Sequence, residues 1–220
     1  MTFDTNSRFT RNRWMLLSPV TALVLIMSLM VSMPVSGQDQ PVGLQVDSLA
    51  VGDEAPLWGM RRMGTTSFVF LRDFAGELRT EARLRGSSQK NVVLSFFASW
   101  CKPCPNEMAM LTRIAKEYEG RDVVFFFINF AETDEVAEAW LAKHPDIQGD
   151  TLMDSFLMMS KKYGAAILPR TIIIDKNRIV RFIEQGFVEE HYWTDITSAI
   201  DMVLADDSAD STPQQEIPPN

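Results

Sequence analysis

The sequence predicts an α/β fold in which a central mixed β-sheet carries helices on both faces. The apolar run Asn91–Ala98 is typical of a strand that is covered on both sides. The segment directly after it repeats apolar residues at steps of four and three, as an amphipathic helix does. Arg170–Asp175 and Arg178–Glu184 are separated only by Lys176 and Asn177, which indicates an antiparallel hairpin.

The other elements follow from the same patterns. The helix behind the first strand is expected to end near Gly120. Its buried stripe consists of Cys104, Met108, Leu111, Ala115 and Tyr118. Asp122–Phe130 reads as a second buried strand, and Thr133 is a candidate cap for a helix that Pro145 stops. With a final amphipathic helix over Glu190–Leu204, the predicted order is β-α-β-α-β-β-α.

Composition indicates one globular domain. Hydrophobic residues make up 46% of the chain and charged residues 23%. The domain is expected over Val51–Leu204, after a linker at 38–50. Acids, serines and prolines dominate 205–220, which predicts a disordered tail. The formal net charge of −8 and the scattered basic residues argue against nucleic acid as a partner.

Residues 1–37 have the pattern of a targeting segment. Three arginines, Arg8, Arg11 and Arg13, precede the uncharged apolar run Trp14–Val35. The run fits a secretory signal cleaved after Gly37, and it is also long enough for an uncleaved membrane anchor. Both alternatives stay open. Because the arginines precede the apolar run, both predict that the domain lies outside the cytoplasm, where disulfides persist.

The two cysteines of the chain, Cys101 and Cys104, lie at the predicted junction of a strand and a helix. A helix N-terminus and the neighbouring Lys102 both favour a thiolate, which is the form that attacks a disulfide. We therefore expect a redox pair with an exposed attacking Cys101 and a shielded Cys104. A zinc site would need two more ligands at a suitable spacing, and covalent haem would need a histidine where Pro105 stands. No metal or cofactor is expected.

Pro169 precedes the strand that starts the hairpin, in the segment "AILPRTIIID". X–Pro bonds alone adopt the cis form readily. A cis bond here would present the backbone of Leu168 to an extended peptide. Together with the cysteine pair, this position predicts a cis-proline beside the redox site.

These motifs together resemble the thioredoxin-like TlpA/ResA family of extracytoplasmic thiol–disulfide oxidoreductases, which is related to the AhpC/TSA redoxins. The resemblance rests on "FFASWCKPCPNE", with "VGDEAP" and "LRDFAG" before it and "YGAAILPRTIIID" after it. It implies a thioredoxin fold with an N-terminal β extension. It further implies that Cys101 attacks, that Cys104 resolves the mixed disulfide and that Pro169 helps to dock the substrate. Trp100 and Pro103 match the flanking positions.

The resemblance also assigns a proton-handling role to Glu107, one turn beyond Cys104. Thioredoxin carries a buried aspartate on the strand before the cysteines, and Ser95 occupies the matching position here. The alternative for Glu107 is a solvated glutamate favoured by the helix dipole. Because Ser95 replaces that aspartate, proton transfer cannot be assigned by analogy with thioredoxin, and Glu107 becomes the candidate for this role.

The function expected from the resemblance is reduction of disulfides in partner proteins. A membrane protein of the thiol-relay type would supply the electrons, and cytochrome c maturation is the leading pathway. An oxidase or isomerase with the same fold is an alternative, since Lys102 would stabilise the reduced thiolate. A redoxin-type peroxidase or a binding module with inert cysteines is the alternative from another class. The long basic loop Gly76–Asn91 is expected at the surface.

Overall fold

The computed structural model describes residues 49–210 of the chain. The strands are β1 (Gly59–Arg62), β2 (Phe68–Phe70), β3 (Asn91–Phe97), β4 (Val123–Phe130), β5 (Asp150–Asp154), β6 (Arg170–Ile174) and β7 (Val180–Gln185). The helices are α1 (Thr80–Leu84), α2 (Cys104–Glu117), α3 (Asp134–Leu141), α4 (Met158–Lys162) and α5 (Glu189–Asp210). A short 3-10 turn, Leu71–Asp73, follows β2.

The strands form one seven-stranded mixed sheet in the order β2-β1-β5-β4-β3-β6-β7. The three neighbouring strands β5, β4 and β3 are parallel, whereas β6 runs antiparallel to β3. Their carboxyl ends therefore meet at one edge of the sheet, and β6 begins at that same edge. The mixed sheet with helices on both faces confirms the predicted fold class, and the antiparallel pair β6 and β7 confirms the hairpin.

Strand β3 lies inside the sheet, between β4 and β6, and both of its faces are covered. All seven of its residues are buried. Leu94 and Phe96 belong to the core under α4, whereas Val93 and Phe97 belong to the core under α2 and α5. Since side chains alternate along a strand, Ser95 faces the same side as Val93 and Phe97. Of the two polar residues on this side, Asn91 begins the strand, and Ser95 points into the core beneath the helix that begins at Cys104.

The sequence patterns did not reveal β5 or α4. Each is only five residues long, too short to show a helical period or a clear alternation. The N-terminal β extension that the resemblance implied is confirmed as β1 and β2. The predicted surface loop Gly76–Asn91 contains the short helix α1.

The final helix continues to Asp210, so the prediction of a disordered tail from residue 205 is wrong for 205–210. The cause lies in two acidic residues of the last turns. Asp207 accepts a hydrogen bond from Asn91 at 2.8 Å and pairs with Lys176 at 3.1 Å. Asp206 pairs with Arg181. These contacts tie the helix to the sheet, which composition alone does not show.

The segment 155–169 connects β5 to β6, and Asp154 fixes its start. The Asp154 carboxylate is buried and accepts hydrogen bonds from the Met159 and Ser160 N–H groups and from the Ser160 hydroxyl, at 2.7–3.1 Å. Beyond α4, Tyr163 packs against Phe96 of β3 with ring centroids 6.2 Å apart. The segment therefore crosses the sheet over β4 and β3 before it reaches Pro169.

Replacing Asp154 with alanine is expected to lower the free energy of unfolding by about 2–4 kcal/mol, because three buried donors lose their acceptor. Urea denaturation followed by circular dichroism measures the change. Asp154→Asn is the matched control, since its amide oxygen can still accept, and it should cost less. An alanine variant as stable as the wild type would contradict the assignment.

Within residues 49–210 no helix is long and apolar enough to cross a bilayer. The targeting segment predicted at 1–37 and most of the linker at 38–50 lie outside the described residues, as does the tail from 211. Their assignment as a cleaved signal or an anchor stays a prediction.

Candidate active site

Cys101 and Cys104 form a disulfide at the junction between β3 and α2. Strand β3 ends at Phe97, and Cys104 is the first residue of α2, directly after the N-cap position Pro103. The Cys104 N–H donates to the Cys101 carbonyl at 3.3 Å, so the loop is wound into a turn that leads into the helix. The positive end of the helix dipole makes this position favourable for a thiolate. The predicted position of the pair is thus confirmed.

The two cysteines differ in their access to solvent. Cys104 has no exposed surface, and Cys101 keeps 5% of its surface. Cys104 is shielded as predicted, but the prediction of an exposed Cys101 is wrong, because Cys101 packs within the core under α2. Lys102 and Pro103 are exposed beside it, and Trp100 is 61% exposed. A partner would therefore reach one sulfur atom through the loop surface.

Glu132 holds the loop in front of the cysteines. Its carboxylate accepts hydrogen bonds from the Ser99 N–H at 3.0 Å and from the Ser99 hydroxyl at 2.5 Å. The Asn129 amide fixes Glu132 in turn at 2.7 Å. Trp100 meets the Phe130 ring edge-on, with centroids 5.9 Å apart. The end of β4 thus positions the two residues that precede Cys101, a role that the sequence did not indicate.

Pro169 lies beside the cysteine loop, and its peptide bond with Leu168 is cis, as predicted. Arg170, the next residue, pairs with Phe96 near the end of β3. Leu168 is half-buried and packs against the core that contains both cysteines. The Pro169 carbonyl accepts a hydrogen bond from Gly186 at 2.9 Å. The backbone before β6 is therefore brought to the same edge of the sheet as Cys101.

Glu107 is buried under α2, with 1% of its surface exposed, and it is not the solvated first-turn residue of the alternative reading. Ser95 donates to its Oε2 at 2.8 Å. Its Oε1 contacts the Thr171 hydroxyl at 2.5 Å and the Tyr192 hydroxyl at 2.6 Å. Three hydroxyls from β3, β6 and α5 therefore converge on one carboxyl group, one helical turn from Cys104.

The Thr171 and Tyr192 hydroxyls also contact each other at 2.8 Å, which closes a triangle with Glu107 Oε1. Three hydrogen bonds in a triangle need three protons. The two hydroxyls supply one proton each, and a protonated Glu107 supplies the third. With an ionised Glu107, one side of the triangle would hold two oxygens with no proton between them. Thr171 and Tyr192 both donate to Oε1, and only a proton on Glu107 would give every side of the triangle a hydrogen bond.

The pKa shifts of the buried groups also favour a protonated Glu107. Burial raises the pKa of Glu107, and the hydrogen bonds from Thr171, Tyr192 and Ser95 oppose that rise. Glu184 on β7 faces the site and raises the pKa of Glu107 further. Burial also raises the pKa of Tyr192 well above its usual value, and Glu107 adds to the effect. The hydroxyl of Tyr192 is therefore neutral.

Sequence reasoning placed Glu107 and Ser95 near the site but missed Thr171, Tyr192 and Glu132. Tyr192 is 85 positions from Glu107 along the chain, and the contact depends on how α5 packs against α2. A signal existed in α5, where Tyr192 opens a buried stripe at helical spacing. That stripe continues through Ile196, Ala199, Ile200 and Val203. The stripe marks Tyr192 as buried, and a buried tyrosine hydroxyl needs a partner.

The described residues contain no cluster of histidine, cysteine, aspartate or glutamate side chains suited to a metal ion. The chemistry of this site can be carried by the two sulfur atoms and the buried carboxyl group beside them.

Comparisons with known proteins agree with this site. Residues 51–183 match the model of the AhpC/TSA family. The thiol-disulfide oxidoreductase ResA of Geobacillus thermodenitrificans is 31% identical over 139 residues, which cover 63% of this chain and 71% of that protein. ResA of Bacillus thuringiensis is 28% identical over 131 residues, 60% of this chain and 67% of the relative.

A solved structure from Chlorobium tepidum, described as a thiol:disulfide interchange protein DsbE, superimposes with a TM-score of 0.59. It is 26% identical, and the match covers 71% of this chain and 99% of that one. The thioredoxin fold and the resemblance to ResA, both predicted from the sequence, are thus confirmed. The matched region runs through the cysteine loop and the cis-proline. The chain therefore belongs to the AhpC/TSA family.

Proposed function

We propose that this thiol–disulfide oxidoreductase reduces disulfides in partner proteins outside the cytoplasm. The observation that carries the proposal is the Cys101–Cys104 disulfide at the start of α2, in which Cys101 keeps a small exposed surface and Cys104 keeps none. A pair arranged in this way can attack with one thiol and keep the second from reacting with solvent or with other proteins.

The proposed reaction begins with the reduced dithiol. The Cys101 thiolate attacks one sulfur of the partner disulfide, which forms a mixed disulfide and releases the first partner thiolate. Cys104 then attacks Cys101 Sγ, which restores the Cys101–Cys104 disulfide and releases the second partner thiolate. Two electrons pass to the partner, and its two thiolates take up the two protons that the cysteines have lost.

The surrounding residues take supporting roles in this proposal. Lys102 adds positive charge beside Cys101, and Pro103 shapes the turn into α2. Trp100 provides apolar contact surface next to the accessible sulfur. The backbone of Leu168, placed by Pro169, receives the extended chain around the partner cysteine. Glu107 serves Cys104, because a buried carboxylic acid one turn away can exchange a proton with a thiol that solvent does not reach.

The compartment and the partners are inferred from the relatives and from the N-terminus. The resemblance to ResA and DsbE supports a site outside the cytoplasmic membrane, and Arg8, Arg11 and Arg13 before Trp14–Val35 support export. A membrane donor of the thiol-relay type would return two electrons to the disulfide. Substrates with haem-binding cysteines, as in cytochrome c maturation, are the leading candidates.

The reduction potential of the Cys101–Cys104 couple tests the direction of electron flow. The full-length chain is equilibrated with dithiothreitol or glutathione buffers, and the reduced fraction is counted by thiol alkylation. We expect a value near or below about −250 mV, in the range of thioredoxin. A value above about −180 mV would contradict the reductase and make the protein an oxidant or isomerase, the outcome that Lys102 within the pair would favour.

A further inference from the structure

Four large apolar side chains are strongly exposed on the same edge of the sheet as the cysteine loop or on the segment that leads to it. Trp100 is 61% exposed, Phe156 83%, Met158 61% and Ile167 60%. We call these four residues the apolar rim. Three of them, all but Trp100, belong to the segment 155–169. Phe156 and Met158 also line one cavity, and contiguous apolar exposure of this kind marks a surface that is covered in use, whereas scattered single residues do not.

The topology places the apolar rim beside the redox site. Segment 155–169 starts at the carboxyl end of β5 and ends at Pro169, next to the carboxyl end of β3. Both of its ends lie at the edge from which Trp100 and Cys101 project, whereas Met159 and Tyr163 between them pack on the sheet face opposite to the core that contains Cys101. Phe156 and Met158 therefore lie at the far end of the crossing, and Ile167 lies at the end nearest Cys101.

Two cavities lie side by side near Phe156, and both are lined by Arg61 and Ser155. A polar cavity of about 430 Å³ is lined by Glu132, which holds the loop before Cys101, and by Ser155, the neighbour of Phe156. A cavity of about 290 Å³ follows beside it, and its lining is mainly apolar. Its lining includes Leu57, Trp58, Met60, Phe156, Met158 and Met159. Thioether side chains adapt to ligands of different shape, so this cavity suits varied apolar residues.

We propose that Phe156, Met158 and the 290 Å³ cavity that they line bind an apolar residue of the substrate polypeptide, a few positions away from the cysteine under attack. The inference rests on the proposed function, because a partner disulfide at Cys101 brings its flanking chain onto this edge. Strands β3 and β5 are two spacings, roughly 10 Å, apart, and an extended chain advances about 3.3 Å per residue. The apolar residue should therefore lie about three to five positions from the cysteine.

Synthetic peptides test this geometry. Each carries one cysteine linked by a disulfide to thionitrobenzoate, which is coloured once it is released. Each also carries one phenylalanine placed one to six residues from the cysteine, on either side. A matched peptide has serine in place of the phenylalanine. The pre-reduced full-length protein is mixed with each peptide, and the ratio of the two rate constants reports the gain from the phenylalanine. We expect a ratio of about five to ten at offsets of three to five residues on one side.

The variants Phe156→Ser and Met158→Ser should bring this ratio close to one. Both side chains are exposed, so neither change removes core packing. Leu84→Ser is the matched control, because Leu84 is 81% exposed on α1 and lines neither cavity, and its ratio should equal that of the wild type. A wild-type ratio that is flat across all offsets, or one that Phe156→Ser leaves unchanged, would overturn the docking surface.

The proposed function can fail separately from the docking surface. If the reduced protein releases no thionitrobenzoate from any peptide, the dithiol does not reduce disulfides and both proposals fall. If it releases thionitrobenzoate equally from phenylalanine and serine peptides, the reductase stands and the docking surface alone is wrong.

Discussion

A Cys101→Ser variant is expected to reduce disulfides at least about a thousandfold more slowly than the wild type, because it lacks the only accessible nucleophile of the pair. A reduced Cys104→Ser variant should still attack but should stop at a mixed disulfide between Cys101 and the substrate. The different exposure of the two cysteines, 5% for Cys101 and none for Cys104, gives these changes opposite outcomes. Mass spectrometry of the pre-reduced variants mixed with a disulfide-linked peptide measures both.

Neither substitution should unfold the domain. The disulfide closes a loop of very few residues, so its loss removes little conformational entropy from the unfolded chain. Unfolding curves of both variants therefore serve as the control. A mixed disulfide that forms through Cys104 in the Cys101→Ser variant, as readily as through Cys101, would show that burial does not determine which thiol attacks.

Much of this architecture follows from local patterns. The buried run of β3, the stripe of α2 and the hairpin of β6 and β7 each depend on residues close together in sequence, and each was predicted. Strand β5 and helix α4 were missed because five residues show no period. Their crossing segment nevertheless carries most of the apolar rim, so the proposed docking surface could not have been found from sequence alone.

The residues of the site also divide into those that local patterns predict and those that meet only through tertiary packing. The cysteines, Glu107 and Pro169 lie in contiguous motifs, whereas Thr171 and Tyr192 reach Glu107 only through the packing of β6 and α5. The two differences from thioredoxin, at Ser95 and at Glu107, also belong to one contact. Ser95 stands where thioredoxin has its aspartate, and it donates to the carboxyl group that α2 supplies instead. In this chain the buried acid is Glu107 on helix α2 and not a residue of the strand, and Ser95 on the strand donates a hydrogen bond to it.

Glu107→Gln is expected to change how stability depends on pH. Burial raises the pKa of Glu107 in the folded state above its ordinary value of 4.5. Above pH 4.5 the unfolded chain loses this proton before the folded chain does. The stability of the wild type should therefore fall by up to about 1.4 kcal/mol per pH unit, until the pH reaches the raised pKa. Glutamine does not titrate, so the variant lacks this loss.

Urea unfolding of the disulfide form between pH 5 and 8 measures the effect as a difference between variant and wild type. The difference cancels the contributions that shared titrating groups make to the pH dependence of stability. One such group is Glu184, which faces the site and whose pKa is also raised by burial. We expect the stability of Glu107→Gln relative to the wild type to rise steadily with pH. A difference that stays constant would mean that Glu107 is ionised in the folded protein, contrary to the proton count.

Tyr192→Phe tests whether the hydrogen bond from Tyr192, and not burial alone, affects the pKa of Glu107. The change removes one hydrogen bond to Glu107, which costs about 1 kcal/mol and raises the pKa of Glu107 further, so the fall in stability should continue to higher pH. Tyr163→Phe is the matched control. Tyr163 is equally buried in the opposite core, and its hydroxyl donates to the Pro56 carbonyl at 2.6 Å, far from any carboxyl contact in the described structure. It should lose similar stability while keeping the wild-type pH profile. Identical profiles for the two phenylalanine variants would show that Tyr192 does not influence the protonation of Glu107.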